Sequence, residues 1–320
     1  MNYKHLGKSG LKVSQICLGT NNFGGQINEE ASIKIIGKAL DCGINIIDTA
    51  NIYTLGRSEE IIGKAVKGRR VEVVIATKVG MGFSQSPNRA GLSRKHILWQ
   101  VKQSLKSLDT DFIDIYYLHR FDSETPLEET LRTLNDLVRQ GKVRYIACSN
   151  FSAWQIAKAH EVCEAHDLEK FIAVEPSYNL LQRDVEKELL PFCQQEGLGV
   201  LTYTPLKGGI LTGKYAKNQP PPAGSRAEYN PRLMERINKD EDFTVLEQIE
   251  DVAKEIGTSM TNLAIAWILR NPTVTAPIVG ASTTEQVEEN CRATEIKIDD
   301  ATYKKLDEIT KNAKTTSLYG

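Results

Sequence analysis

The sequence predicts an α/β protein built as a closed (β/α)8 TIM barrel, with an N-terminal capping hairpin and a C-terminal extension. Two observations carry this. Short apolar runs rich in Ile, Val and Leu alternate with segments of helical period, eight times along the chain. Almost every run ends in a polar or glycine cluster, and the C-terminal ends of its strands are where a barrel keeps its chemistry. Continuous apolar runs mark strands buried on both faces, as in a parallel sheet. Eight strand–helix units favour a closed barrel over an open, doubly wound sheet.

Taken in order, residues Tyr3–Val13 hold a Lys-Ser-Gly turn and read as a hairpin capping the barrel bottom. The strand-like runs are Ser14–Leu18, Ile44–Ile47, Val73–Ala76, Phe112–Leu118, Val143–Ala147, Ile172–Val174, Gly199–Thr202 and Ala276–Val279. Glu29–Cys42, Ser58–Val66, Ser152–Ala165 and Asp184–Glu196 have helical period. Between Ser93 and Leu108, Ile97, Val101, Leu105 and Leu108 fall at helix spacing behind Ser93 as N-cap. Leu127, Leu131, Leu134 and Val138 repeat the pattern, with Gly141 as the stop. Residues Asn218–Asp242 are polar and include Pro220-Pro221-Pro222 and Gly224. A loop of that length inside a compact domain reads as a lid over a ligand. No second domain or long repeat interrupts the pattern, so residues 1–320 read as one domain.

Composition narrows the function classes. Charged residues make up 25% of the chain and apolar residues 41%, the balance of a soluble globular protein. A net charge of −1 offers no footprint for nucleic acid or an acidic membrane surface. No apolar run approaches the roughly 18 residues needed to span a bilayer. The segment Met1–Gly7 has no apolar core of a secretory signal, so a cytoplasmic location is expected. Cys17, Cys42, Cys148, Cys163, Cys193 and Cys291 form no CxxC pair and read as buried thiols of a reducing compartment. A homo-oligomer is left open.

Several motifs fail on inspection. No GxGxxG follows a predicted strand, which argues against a Rossmann fold. Gly208–Lys214 has the spacing GxxxxGK, but Tyr215 stands where a phosphate loop needs a Ser or Thr hydroxyl for Mg2+. His160 and His166 flank Glu161 at a spacing that shares no helix face, so no metal site is expected. The strand ends speak more clearly: Gly19-Thr20, Asp48 followed by Tyr53, Thr77-Lys78, His119-Arg120, Ser149-Asn150, Glu175, Tyr203 and Gly280-Ala281-Ser282. Any one of these has a structural reading, a cap or a rim ion pair. Ionisable groups at the ends of five separate buried strands point to a site.

These residues also carry a resemblance. The stretches Gly43–Tyr53 (GINIIDTANIY), Ile75–Val79 (IATKV), Asp114–Asp122 (DIYYLHRFD), Gly141–Asn150 (GKVRYIACSN), Tyr203–Tyr215 (YTPLKGGILTGKY) and Val279–Asn290 (VGASTTEQVEEN) resemble the aldo-keto reductase superfamily. They look most like its bacterial and archaeal branch, which is similar to the potassium-channel β subunits. The resemblance runs from about Tyr3 to Ala293. It implies a catalytic tetrad of Asp48, Tyr53, Lys78 and His119. It implies nicotinamide contacts from Ser149, Asn150 and Glu175, with Tyr203 stacked on the ring and Gly19 and Thr20 nearby. Pro205, Leu206, Gly208 and Lys214 would lie along the pyrophosphate under a loop containing Arg226. Gly280, Ser282, Gln286, Glu289 and Asn290 would hold the adenosine end. The substrate would meet Phe23, Tyr53, His119 and Arg120, with Asn21, Asn22, Met81, Phe83 and Phe121 shaping the pocket.

The chemistry can be argued from the side chains. Reducing a carbonyl needs a hydride on carbon and a proton on oxygen. A phenol, with a reference pKa of about 10, is a poor acid at neutral pH. An ammonium about 4 Å away favours phenolate by about 4 kcal/mol at an effective dielectric near 20, so Lys78 is expected to lower the Tyr53 pKa. Asp48 would hold the lysine and keep it charged, and His119 would donate to the carbonyl oxygen. A different strand is expected to place each member, making the geometry rigid. Family members commonly carry Gln where this chain has Glu175, and an extra negative charge there favours an oxidised, cationic nicotinamide. Arg120 either pairs with Asp122 or Glu124 on the rim or recognises an anionic group of the substrate.

The cofactor expected is NADPH/NADP+, with NADH less favoured. No cation stands between Gly280 and Gln286, so a 2′-phosphate would rely on Ser282, Thr283, Gln286 and backbone N–H groups at a helix N-terminus. The function expected is NADP(H)-dependent reduction of aldehydes or ketones with Tyr53 as general acid. The alternatives are a nucleotide-binding regulatory subunit with vestigial turnover and a barrel aldolase with Lys78 as Schiff-base nucleophile. The partner is a small carbonyl compound, with no nucleic acid and no membrane.

Overall fold

The first strand pair seals one end of the molecule before the barrel begins. In the computed structural model, which describes residues 1–82, 86–230, 233–235 and 240–311, β1 (Tyr3–His5) pairs antiparallel with β2 (Lys12–Ser14). Gly7 turns the chain between them at φ +60°, and a Cβ there would fall 2.6 Å from the Gly199 backbone nitrogen and 2.7 Å from the Ile172 carbonyl. The turn therefore lies against the starts of two barrel strands, at the bottom, as the sequence predicts. Leu6 and Val13 of this hairpin are fully buried and join Cys17, Ile46, Ala76, Ile115 and Tyr117 in the core inside the barrel.

Eight parallel strands close that barrel: β3 (Cys17–Gly19), β4 (Ile46–Asp48), β5 (Val74–Val79), β6 (Ile113–Leu118), β7 (Val143–Ser149), β8 (Ala173–Glu175), β9 (Gly199–Thr202) and β10 (Ala276–Gly280). Each pairs with its successor, and β10 returns to β3. The predicted runs coincide with these strands to within three residues at either end, and Gly199–Thr202 matches at both. β5 is buried at all six positions, which is why no alternation marks it in the sequence.

The outer layer comprises α1 (Glu29–Asp41), α2 (Arg57–Ala65), α3 (Arg94–Ser107), α4 (Leu127–Arg139), α5 (Ala153–His166), α6 (Leu189–Glu196), α7 (Arg226–Tyr229), α8 (Asp240–Glu255), α9 (Met260–Arg270), α10 (Thr284–Arg292) and α11 (Asp300–Thr310). Ser93 caps α3 by accepting from the His96 N–H, and Gly141 (φ +70°) follows the end of α4. One boundary differs from expectation. The helix predicted over Asp184–Glu196 is a short 3-10 turn at Asp184–Glu186 followed by α6. Pro191 is the reason: it lacks an N–H, so it fits the first turn of a helix beginning at Leu189 but not the interior of a longer one. The C-terminal extension includes α11, whose Asp307 pairs with Arg183 at 2.7 Å.

Part of the expected lid, around positions 231–232 and 236–239, lies outside the described residues, as does Phe83. No helix among the described residues is long and apolar enough to cross a membrane.

Candidate active site

The C-terminal ends of the strands open into a cavity of about 890 Å3. The candidate cofactor- and substrate-binding residues line it, Thr283 excepted, and so do Asp48, Tyr53 and His119 of the candidate tetrad. Lys78 lies behind this lining, fully buried. Asn21, Asn22 and Met81 also line the cavity, whereas Phe121 packs beside it against Phe151 and Trp154.

Lys78 ties the floor together. Its Nζ donates to Asp48 Oδ1 at 2.5 Å and Oδ2 at 2.7 Å, and lies 3.4 Å from the Tyr53 hydroxyl. Glu175 Oε1 approaches the same ammonium at 3.3 Å. Burial works against the charged lysine, but the Asp48 and Glu175 carboxylates outweigh it and hold its pKa well above the usual range. The His119 ring meets Tyr53 edge-on, with centroids 6.1 Å apart. Burial, then Lys78 and Arg120, push the imidazole pKa down to about 3, so the ring is neutral and keeps one N–H to donate.

Two expectations need correction. Asp48 ends β4 and Tyr53 stands in the turn just after it, so three strands rather than four position the tetrad. The Tyr53 pKa is raised, not lowered: burial dominates, and the Asp48 and Glu175 carboxylates add to it against Lys78. The charge of one ammonium is offset by the two carboxylates gathered round it, a count that a Lys–Tyr pair taken alone leaves out.

Sequence reasoning also missed how Tyr53 is held. Thr54 and Leu55, directly after it, both adopt left-handed backbone (φ +46° and +58°), a strained choice for a β-branched residue. The Thr54 hydroxyl donates to the Phe23 carbonyl at 2.6 Å, tying this turn to the loop that carries Phe23. No local signal marks it, since neither residue is a glycine. Behind Asp48, the Thr20 hydroxyl donates to the Asp48 carbonyl at 2.8 Å and meets Ser58 Oγ, also at 2.8 Å. That hydroxyl is engaged in supporting Asp48.

Next to the tetrad, the Asn150 amide accepts from the Tyr203 hydroxyl at 2.6 Å and donates to the His119 carbonyl and Ser149 Oγ, each at 3.0 Å. Ser149 Oγ donates to the Glu175 carbonyl at 2.9 Å. β7, β8 and the residue after β9 are thereby locked together above the floor. Further along, Gly209 turns at φ +95°, and a Cβ there would fall 2.9 Å from Lys214 Nζ, so glycine lets that cation lie across the backbone. Arg226, in the first turn of α7, faces the same channel.

At the far end the donor set is smaller than the sequence implies. The Ser282 N–H already donates to Gln286 Oε1 at 2.7 Å, and Thr283 Oγ1 caps α10 by accepting from the Gln286 N–H at 3.3 Å. Glu289 accepts from Ser259 Oγ at 2.9 Å, and Asn290 Nδ2 donates to the Gly280 carbonyl at 3.4 Å. Thr261, from α9, also lines this end, a contribution from a helix the strand-end argument does not reach.

A barrel with an ionisable cluster at the mouth is common to many enzymes, so the family rests on comparison as well. Residues 15–311 match the model of the Aldo/keto reductase family. The chain belongs to this family. Among its relatives, an uncharacterized oxidoreductase of Bacillus subtilis is 41% identical over 320 residues, covering 97% of this chain and 96% of its own. A probable voltage-gated potassium channel subunit beta of Oryza sativa is 42% identical over 303 residues, 92% of each chain. Versiconal hemiacetal acetate reductase of Aspergillus parasiticus is 35% identical over 324 residues, covering 93% and 94%. Membership of the aldo/keto reductases and the names of these relatives support an oxidoreductase acting on carbonyl compounds.

Proposed function

We propose that the protein is an NADP(H)-dependent reductase of aldehydes or ketones, with Tyr53 as the proton donor. The observation that carries this reading is the Asp48–Lys78–Tyr53 chain on the cavity floor, with a neutral His119 beside the phenol. A nicotinamide dinucleotide fits the donor set. The cavity is near the top of the roughly 300–1,000 Å3 range of small-molecule sites. It runs from the phenol past Lys214 and Arg226 to the start of α10. Glu175 Oε2 is buried without a hydrogen-bond partner, as an acceptor awaiting an amide N–H would be.

When bound, the dinucleotide supplies the hydride. Ser149, Asn150 and Glu175 would orient the carboxamide, and Tyr203 would pack against the ring. Pro205, Leu206, Gly208, Lys214 and Arg226 would hold the pyrophosphate. Gly280, Ser282, Gln286, Glu289 and Asn290 would hold the adenosine end. The substrate oxygen would accept from the Tyr53 hydroxyl and from the His119 N–H. As negative charge develops on that oxygen, Tyr53 releases its proton to it, and the Lys78 ammonium at 3.4 Å stabilises the phenolate left behind.

A Schiff base on Lys78 is disfavoured, because that amine is buried, ion-paired and held protonated. The channel-subunit relatives keep a second reading in view, a nucleotide-sensing subunit with residual turnover. NADPH oxidation measured against a panel of neutral and anionic aldehydes separates the two. Tight NADPH binding with no turnover on any of them would overturn the reductase reading.

A further inference from the structure

Two carboxylates and one ammonium share a buried compartment on the barrel floor. Asp48, Lys78 and Glu175 side chains are at most 4% exposed. Asp48 binds Lys78 Nζ with both oxygens, and Glu175 meets it with Oε1 at 3.3 Å while Oε2 has no partner. With all three groups ionised, the compartment carries a net charge of −1 with little water to screen it. Among the described residues, no cation other than Lys78 acts on Glu175. Cys17 of β3 and Tyr117 of β6 are neutral, their pKa values pushed up first by burial and then by these same carboxylates. Tyr53, after β4, is held neutral in the same way, and His119, after β6, is neutral because burial and Lys78 disfavour its charge. Ser149 on β7 and Tyr203 after β9 bring hydroxyls only.

A buried pair of like charges that outnumbers its counter-ion relieves the imbalance by keeping a proton. Burial, followed by the Asp48 charge, raises the Glu175 carboxyl to about 8, while Asp48 has both oxygens on the ammonium, so the retained proton sits on Glu175.

We propose that Asp48 and Glu175 hold one shared proton beside Lys78, and that Glu175 gives it up to solvent when a cationic nicotinamide ring is seated in the cavity. This rests on the dinucleotide site described above. The O–H bond of the carboxylic acid breaks, its electron pair stays on the oxygen, and the proton passes through the open mouth to buffer; nothing is oxidised or reduced. The compartment changes from neutral to −1 as a charge of +1 arrives. A reduced, uncharged ring leaves the proton in place. Glu175 would thus set which redox form of the cofactor the site prefers, and make that preference depend on pH.

The test is isothermal titration calorimetry of NADP+ and NADPH at pH 7 in phosphate and in Tris, whose ionisation enthalpies differ. Both ligands carry the 2′-phosphate, so their difference isolates the ring. The wild-type protein should release close to one proton more with NADP+ than with NADPH. Its affinity for NADP+ relative to NADPH should rise toward tenfold per pH unit below about pH 8. Glu175→Gln should bind both forms with no difference in proton release and a flat pH dependence. Equal proton release for the two ligands in the wild-type protein overturns the proposal without any variant. An unchanged difference in Glu175→Gln overturns it too, by placing the proton on another group. Binding of neither ligand overturns the dinucleotide site and this inference with it.

Discussion

The Tyr53 hydroxyl lies 3.4 Å from Lys78 Nζ, within reach of a cation but inside a compartment that raises its pKa. The phenol is therefore fully protonated at neutral pH, the state a proton donor needs. Tyr53→Phe removes the donor and keeps the ring. Carbonyl reduction should fall by about 10²–10⁴-fold, while NADPH affinity stays within about twofold. Retention of a tenth of the wild-type kcat would sink the assignment.

His119 stays neutral down to about pH 3, so its protonation should not limit the reaction between pH 5 and 8. Reduction by the wild-type protein should show no acid limb in kcat with a midpoint near 6.5, the ordinary histidine value. An NMR titration of the His119 ring tests this directly. A midpoint near 6 would show that burial and Lys78 do not hold the ring neutral across this range.

Arg120 lines the cavity mouth and forms no ion pair with Asp122 or Glu124. Asp122 is taken up instead by the Leu92 and Glu124 N–H groups and the Thr125 hydroxyl. The rim-pair reading of this residue is thereby removed, leaving its guanidinium available to an anionic substrate. Arg120→Ala should raise KM for a carboxylate- or phosphate-bearing aldehyde about tenfold or more, with little change for a neutral aldehyde of the same size. Equal effects on both would leave Arg120 without a recognition role.

Under the proposed function, the preference for NADPH should be small. Two N–H groups that a phosphate would use are already spent on Gln286 Oε1 and Thr283 Oγ1. Neutral donors remain, worth about 1 kcal/mol apiece. The wild-type protein should prefer NADPH over NADH by about tenfold. Ser282→Arg should strengthen NADPH binding by a further fivefold or so, make it more salt-sensitive, and leave NADH alone. Fluorescence-quenching titrations at two salt concentrations decide it. Equal wild-type affinity for the two cofactors would show that this end does not read the phosphate.

Much of this site was legible because barrel geometry converts sequence position into spatial position. A polar residue closing an apolar run, such as Asp48, Glu175 or Tyr203, lands at the mouth whatever helix follows it. The far end of the cavity was legible for the same reason, as its lining resumes where β10 stops at Gly280. Features that depend on pairs far apart in the chain were not legible. The Thr54–Phe23 bond spans 31 positions, and the raised Tyr53 pKa needs its burial together with charges from β4, β5 and β8. The break before α6 was readable in principle from Pro191, which periodicity alone passes over.

Glu59, outside the barrel in the first turn of α2, carries a buried acid that no catalytic step uses. Its side chain is 2% exposed, and Oε1 accepts from Thr77 Oγ1 at 2.6 Å. Burial, resisted by the hydrogen bonds from Thr77 and Ser104, raises its pKa from an ordinary 4.5 to about 7. The sign follows from the direction of the shift. The folded state prefers the protonated acid, so its contribution is fully present below pH 4.5 and is lost as pH rises through 7. Above that, the fold must bury a carboxylate, at a cost of about 3 kcal/mol relative to the neutral acid. Glu59→Gln keeps an acceptor for Thr77 and offers its amide hydrogens to Ser104. In guanidinium unfolding the wild-type protein should lose stability between pH 5 and 8 by more than the variant does, by about 3 kcal/mol. Asp48 and Glu175 titrate in both proteins, so the difference between the two pH profiles belongs to Glu59. Parallel profiles would show that Glu59 is already ionised at pH 5 and that Thr77 and Ser104 compensate for its burial.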